Sequence, residues 1–331
     1  MKKLMALVVV MILALSTACG GGAAPTPSSA APSAAAPASS GAPTEQAKEQ
    51  LVFGYSPPTM NNPFFLWIEQ NVRAVVEGKG DKLITVDPQL DPQKQISQVE
   101  DLLQQDIDIL LLCPFDSASI KNALVAAEGK GVPVIIFDTP VLDPQYVKTT
   151  VASDNYNAGV VVAKDMMSKL PEGSKVAILA SPLAQTDRLR VGGFRDTVGE
   201  FFDIVTELDG KGDTGVSMPL AEDILQGNPD LSAFFCGNDP SAIGAVQAIE
   251  SAGKTGKLLV YGVDGAPEAK AAIKEGKMEG SGAQSPTNIA KLAVDAAYRY
   301  LDGETLDENT VVETFIINKE NIDDYVIDGW Q

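Results

Sequence analysis

Leu51-Val-Phe-Gly-Tyr55 runs directly into Ser56-Pro-Pro-Thr-Met-Asn-Asn-Pro-Phe-Phe65, and an amphipathic segment begins at Phe64. A short apolar run, a tight polar loop and a helix start, in that order, put the loop at the carboxyl end of a strand. That is where an open α/β sheet presents groups to a ligand. Asn61 or Asn62 suits the helix cap and Pro63 its first position. Taken alone, the stretch reads as a capped helix with two core phenylalanines. Whether it also belongs to a binding site depends on what the other strand ends carry.

Working outward, short apolar runs keep alternating with longer amphipathic ones. Lys82-Leu-Ile-Thr-Val86, Ile109-Leu-Leu-Leu-Cys113 and Val132-Pro-Val-Ile-Ile-Phe137 read as strands, with helices at about 92–105 and 117–130. Asp116-Ser-Ala-Ser119 offers the second helix its N-cap. Continuous apolar runs of this length suit strands buried on both faces of a parallel sheet. The pattern repeats with strands Lys175–Ala180, Asp203–Leu208, Leu231–Cys236 and Lys257–Gly262. Helices are expected near 156–170, 189–201, 216–226, 240–253 and 266–275. Strand–helix alternation of this kind makes right-handed βαβ units. The fold expected is α/β: two doubly wound, Rossmann-like parallel-sheet lobes with a ligand cleft between their strand ends.

Before Leu51 the chain is of another kind. Lys2 and Lys3 precede an apolar run, Leu4 to Leu15, followed by Ser16-Thr-Ala-Cys19. A basic start, an apolar stretch short for a bilayer and small residues before a cleavage point read as a secretory signal over 1–19. Cys19 after Ala18 resembles a bacterial lipobox, which implies lipidation of Cys19, although Leu15 lies four residues before the Cys where the lipobox has Leu three before. Residues 20–48, rich in Gly, Ala, Pro and Ser, cannot bury enough surface to offset their ordering entropy and read as a flexible tether. The formal charge is −19 for the whole chain. Without Lys2 and Lys3 there are 44 acids against 23 bases, or −21. That balance opposes nucleic-acid binding, which rests on Lys and Arg neutralising phosphates. It also suits an anionic membrane surface poorly, leaving a lipid as the anchor. The chain has no histidine, which removes the commonest general base and the commonest metal ligand together. No nucleophile elbow or metal-ligand cluster stands out, so neither catalysis, a metal nor a cofactor is expected. Cys113 and Cys236, each ending an apolar run, read as packed free thiols.

The strand ends answer the opening question. Asp138 follows the 132–137 run, Arg188 follows 175–180, Asn238-Asp239 follows 231–236, Asp264 follows 258–262, and Gln284 follows Ser281-Gly-Ala283. Carboxylates accept from hydroxyls, Arg donates in a fixed fork and amides do both, so this set suits a neutral polyhydroxyl ligand. Aromatic rings would cover the C–H face of a sugar ring. With Thr59-Met-Asn-Asn-Pro-Phe-Phe65, Cys113-Pro-Phe-Asp-Ser117, Ala152-Ser-Asp-Asn155, Arg188 with Gly193-Phe194, Asn238-Asp239, Gly262-Val-Asp-Gly265 and Ala283-Gln-Ser-Pro286, the sequence from Leu51 onward resembles the periplasmic-type sugar-binding proteins of ABC importers, in the ribose-binding branch.

The resemblance implies that Asn62 hydrogen-bonds a sugar, that Phe64 and Phe65 contact or stack on its ring, and that Asp138, Thr139, Arg188, Asn238, Asp264 and Gln284 complete the ligand-binding set. Helix capping accounts for Asp116 and Asp154, and Asp239 reads as a residue that orients its neighbour or the hinge. Two departures leave the ligand open. Thr139, followed by Pro140, stands where the ribose pattern has Arg, and Gly212, within Asp209-Gly-Lys-Gly-Asp213, stands where it has an aromatic ring. They put ribose itself in doubt and leave a larger sugar, a polyol, a furanose or an autoinducer-2-like compound open. The family further implies discontinuous lobes, 50–152 plus 284–311 and 153–283 plus 312–331, joined by three crossings near Ala152–Ser153, Ala283–Gln284 and Thr310–Val312. The segment Pro286–Leu301 would be a helix returning to the first lobe and Phe315–Ile317 a last strand in the second. Function would follow from hinge closure on the ligand, read by an ABC permease, in a monomer held outside the cytoplasm. A chemoreceptor or sensor kinase could read the same closed form. A lactose-repressor-like effector domain shares the fold, but the signal segment and acidic charge count against it. A glycosidase using paired carboxylates across the cleft is the remaining class.

Overall fold

The computed structural model describes residues 50–331. The signal segment, Cys19 and the tether lie outside the described residues. The chain begins β1 (Val52–Ser56), α1 (Pro63–Gly78), β2 (Lys82–Thr85), α2 (Pro92–Leu103), β3 (Ile109–Leu112), α3 (Lys121–Lys130), β4 (Val134–Phe137) and β5 (Thr149–Ser153). It continues through α4 (Asn155–Lys169), β6 (Lys175–Ala180), α5 (Gln185–Val198), β7 (Asp203–Asp209), α6 (Thr214–Gly227), β8 (Ala233–Cys236), α7 (Asp239–Ser251), β9 (Leu259–Asp264), α8 (Pro267–Lys274) and β10 (Gly280–Ala283). It ends with α9 (Pro286–Leu301), β11 (Asn309–Val312) and β12 (Phe315–Asn318).

These strands form two six-stranded sheets, ordered β11-β5-β4-β3-β1-β2 and β12-β10-β9-β8-β6-β7. All pairings are parallel except that of β12, which runs antiparallel to β10. The fold is thus two parallel-sheet α/β lobes, each with helices on both faces. In the first lobe α1 and α9 cover one face, burying Phe53, Tyr55, Phe137, Ile68 and Ile289, while Leu110, Leu112 and Ile136 face Val99, Leu102 and Leu124 of α2 and α3. In the second, Ile178, Phe235 and Val263 pack under Val162 of α4 and Phe194 of α5, and Leu179, Phe234 and Val260 pack under α6, α7 and α8. Cys113 and Cys236 are buried and unpaired in these cores.

The chain passes between the sheets three times. After Ser153 it leaves β5 for α4, which packs on β10 and β12; after Ala283 it leaves β10 for α9, which packs on α1, β4 and β5. It crosses again between Val312 of β11 and Phe315 of β12.

Two local expectations need correction. Helix α3 starts at Lys121 with no side-chain cap, and Asp116 instead accepts from the N–H of Ala118 at 2.9 Å, an Asx turn ahead of the helix. Helix α5 starts at Gln185, four residues before the expected 189, and this shift moves an important arginine. Helices α4 and α5 cross closely because Gly159 and Gly193 face one another's backbone. A Cβ on Gly159 would lie 1.9 Å from the Arg190 carbonyl oxygen, and one on Gly193 would lie 2.1 Å from that of Tyr156.

Candidate functional site

The carboxyl ends of both sheets face one cleft, and α1 begins at its edge. Asn62 is the N-cap of α1: its Oδ1 accepts from the Phe64 N–H at 2.9 Å, which leaves its NH₂ to face the cleft. Pro63 takes the first helical position, where an N–H would have no partner. Phe64 and Phe65 meet edge to face, with ring centroids 5.4 Å apart, and form an aromatic wall.

Around that wall is an inner compartment of about 60 Å³ that brings Asn62, Phe64, Phe65, Asp138, Thr139, Asn238, Asp264 and Gln284 together. Asp138 and Asp264 both carry positive φ, 61° and 146°, conformations that a non-glycine residue holds only when its surroundings fix it. One oxygen of Asp138, Oδ2, accepts from the Thr139 hydroxyl at 3.0 Å and from the Cys113 thiol at 3.7 Å; Oδ1 is buried without a partner. Gln284 donates to Asp264 Oδ1 at 2.7 Å, and its own Oε1 is buried without a partner. Asn238 caps α7 by accepting from Ser241 N–H at 3.0 Å and donates to the Gly212 carbonyl at 3.0 Å, so it braces the wall of the compartment. The Thr139 hydroxyl is likewise engaged, its proton directed at Asp138.

Arg188 is not part of this group. Its Nε donates to Gln185 Oε1 at 2.7 Å and its Nη1 donates to the Pro182 carbonyl, in a surface depression shared with Arg195 and Glu207. The cleft arginine is Arg190, 3% exposed, which donates to Asn155 Oδ1 at 2.8 Å and to the Gly237 carbonyl at 2.7 Å. The reason is helical register: two positions apart on a helix point about 200° apart. Asp187, Arg190, Val191, Phe194 and Val198 share the buried stripe of α5, and Arg188 does not. That stripe was the signal in the sequence, but a helix started at 189 hides it.

Arg190 sits among four buried carboxyls. Its Nη1 lies 3.6 Å from Asp187 and 3.8 Å from Asp264. Asp187 also accepts from Ser181 N–H at 2.6 Å. Asp239 accepts from the Ser281 hydroxyl at 2.7 Å and from Ala266 N–H at 2.8 Å, which fixes the turn after Asp264. Burial raises the affinity of Asp138, Asp187, Asp239 and Asp264 for protons, and the Arg190 guanidinium only partly offsets it. Asp239 is pushed up to about 6. The Arg190 guanidinium and the exposed Lys211 ammonium face four carboxyls, so with those carboxyls ionised the cleft is net-negative, hostile to anionic ligands and rich in acceptors for hydroxyls.

The two lobes touch at the rim. Ser117 N–H donates to the Leu183 carbonyl at 3.1 Å, Gln185 N–H donates to Ser117 Oγ at 3.0 Å, and the Thr139 and Thr186 hydroxyls lie 3.5 Å apart. The conformation is closed.

A family model described as "Periplasmic binding protein domain" matches residues 53–305, most of the described chain. The chain belongs to the periplasmic binding protein family. Within the family, it is 38% identical over 309 residues to the ribose import binding protein of Bacillus subtilis, covering 93% of this chain and 96% of that protein. It is 31% identical over 265 residues to the ribose import binding protein of Escherichia coli K12, covering 79% and 88%. Among solved structures, an ABC transporter solute binding protein from Mycobacterium smegmatis with bound glycerol superposes with a TM-score of 0.78 at 28% identity, covering 83% of this chain and 96% of that one. These relatives are binding proteins, and the family places its members outside the cytoplasm.

Proposed function

We propose that this chain captures a neutral sugar or polyol between its lobes and presents the closed form to an ABC permease. The observation that carries the reading is the pair of buried, unpartnered acceptors, Asp138 Oδ1 and Gln284 Oε1, facing the same small compartment as the Phe64–Phe65 wall. Buried polar atoms without partners are uncommon in native structures, and hydroxyl donors on a ring stacked against the phenylalanines would satisfy both. Asn62 and Arg190 supply donors from opposite lobes. Phosphorylated or carboxylated sugars would meet four carboxyls with two counter-charges, Arg190 and Lys211. The names of the two ribose import relatives support the sugar class, and Thr139 and Gly212 leave the particular sugar open.

The chain acts by hinge closure between residues 50–152 plus 284–311 and residues 153–283 plus 312–331. Ligand bridges the lobes and shifts the population to the closed form, which the permease reads. A lipid on Cys19 and the tether over 20–48 hold this monomer at the outer membrane face. A thermal-shift panel on the full chain tests the reading, using D-ribose, D-xylose, D-galactose, xylitol and myo-inositol beside D-ribose 5-phosphate. At a hundred times its dissociation constant a real ligand adds about 2.7 kcal/mol of stability. No shift with any neutral compound defeats the proposal.

A further inference from the structure

Beside the inner compartment lies an outer one of about 320 Å³. The two share Thr59, Asn62, Leu90, Gly212 and Asp264, so they form one continuous cleft with a narrow and a wide part. Gly212 stands at the junction with φ +66°, and a Cβ there would lie 2.7 Å from the Asn238 amide nitrogen. Gly212 itself therefore puts no side chain between the two spaces.

Their walls differ in chemistry. The inner compartment holds the unpartnered Asp138 Oδ1 and Gln284 Oε1. In the outer one the buried Asp239 and the half-buried Asp213 and Thr214 are engaged, while the exposed Asn61 and Glu268 also line it. Asp239 is held by Ser281 and Ala266, Asp213 Oδ1 accepts from Val216 N–H at 3.0 Å, and the Thr214 hydroxyl donates to the Pro240 carbonyl at 2.8 Å. What remains to meet a ligand is mainly carbon: Pro63, Leu90, Ile243, Pro267 and the Trp330 ring. Trp330 is itself fixed. It packs edge-on against Phe64 with centroids 5.6 Å apart and belongs to the apolar clusters of both lobes. The chain around it is pinned by Lys270, whose buried ammonium donates to the carbonyls of Val326 and Gly329, at 2.6 and 2.5 Å, and to Gln331 Oε1 at 3.0 Å. Gln331 in turn donates to the Gly265 carbonyl at 2.9 Å, next to Asp264. A tryptophan held this way is a rigid platform for an apolar group.

We infer that the outer compartment is an aglycone subsite, and that the ligand is a sugar carrying an alkyl or aryl substituent whose ring occupies the inner compartment. This rests on the inner compartment being a sugar site. A neutral apolar substituent suits a wall that is mainly carbon and whose buried polar groups are engaged; a second sugar unit would have to find its hydrogen bonds at the exposed Asn61 and Glu268.

The test is calorimetry on the full chain with free D-ribose, D-allose and D-galactose, with their methyl and phenyl glycosides, and with lactose and sucrose. The expected result is that at least one phenyl glycoside binds ten times or more tighter than its parent sugar. Thr214→Phe, a partly exposed position that narrows the outer space, should remove most of that gain while the parent sugar stays within about threefold. Trp330→Leu should remove it as well. If free sugars bind and no glycoside gains, or if the gain survives both substitutions, the aglycone subsite is wrong and the sugar site stands. A gain confined to the disaccharides overturns the apolar assignment. If neither free sugars nor glycosides bind, both readings fall.

Discussion

Replacing Arg190 by methionine removes the only guanidinium among Asp138, Asp187, Asp239 and Asp264. The side chain is 3% exposed, so water does not replace it. Two donated bonds, to Asn155 and Gly237, are lost, and the carboxyls 3.6 and 3.8 Å from Nη1 lose their counter-charge. Removing one partner of a buried ion pair destabilises by about 3–5 kcal/mol because the other charge stays buried. Arg188→Met is the control: its bonds to Pro182 and Gln185 lie at the rim, and about 1 kcal/mol or less should be lost. The difference should depend on pH. The four carboxyls have folded pKa values above their unfolded ones, so the folded state binds more protons between the unfolded values and the folded ones, and stability rises as pH falls through that window. Without Arg190 those pKa values climb further, so the Arg190→Met deficit should shrink between pH 7.5 and 5.5. Urea unfolding followed by circular dichroism at both pH values measures it. An Arg190→Met loss no greater than that of Arg188→Met, or a deficit that does not shrink at pH 5.5, refutes the reasoning.

The ligand-free wild type should itself be more stable at pH 5.5 than at 7.5 by about 1–3 kcal/mol, since the chain has no histidine to titrate in the opposite sense; a urea midpoint that falls on acidification over this range would contradict it. Asn62→Asp keeps the acceptor that caps α1 and should leave stability within about 0.5 kcal/mol, whereas Asn62→Ala should lose about 1 kcal/mol. Both should weaken the best neutral sugar at least tenfold by calorimetry, Asp through the lost NH₂ and the added charge. Gly159→Ala drives a methyl into the Arg190 carbonyl and should destabilise by about 3 kcal/mol or prevent folding, read as loss of soluble protein or a large fall in melting temperature.

The alternation of buried apolar runs with amphipathic ones was enough to read two parallel sheets, because β3, β4, β6 and β8 are continuous hydrophobic strands covered on both faces. Strands β5 and β11 were not legible in the same way. Thr149-Thr-Val-Ala-Ser153 and Asn309-Thr-Val-Val312 carry few large apolar side chains, and they become strands through their place in the sheet. In the site, Asp138 and Gln284 follow strand ends directly, Asp264 ends its strand, and Asn62 and the two phenylalanines come after the loop that leaves β1, so chain order locates them. Arg190 does not, because its direction depends on where α5 begins. Val191, Phe194 and Val198 mark the buried face, and carrying it back one turn reaches Asp187 and Arg190 and passes over Arg188. Trp330 was out of reach for a different reason: nothing local says that the segment after β12 returns to Phe64. Its placement depends on the long-range bonds of Lys270 and Gln331.

The central claim is that this closed, net-negative cleft takes a neutral polyhydroxyl ligand. Calorimetric titration of the full chain with the neutral panel and with D-ribose 5-phosphate tests it most directly. The account predicts one-to-one binding of at least one neutral sugar or polyol and affinity at least a hundredfold weaker for the phosphate ester. Absence of heat with every neutral compound, or equal binding of the phosphate ester, would contradict it.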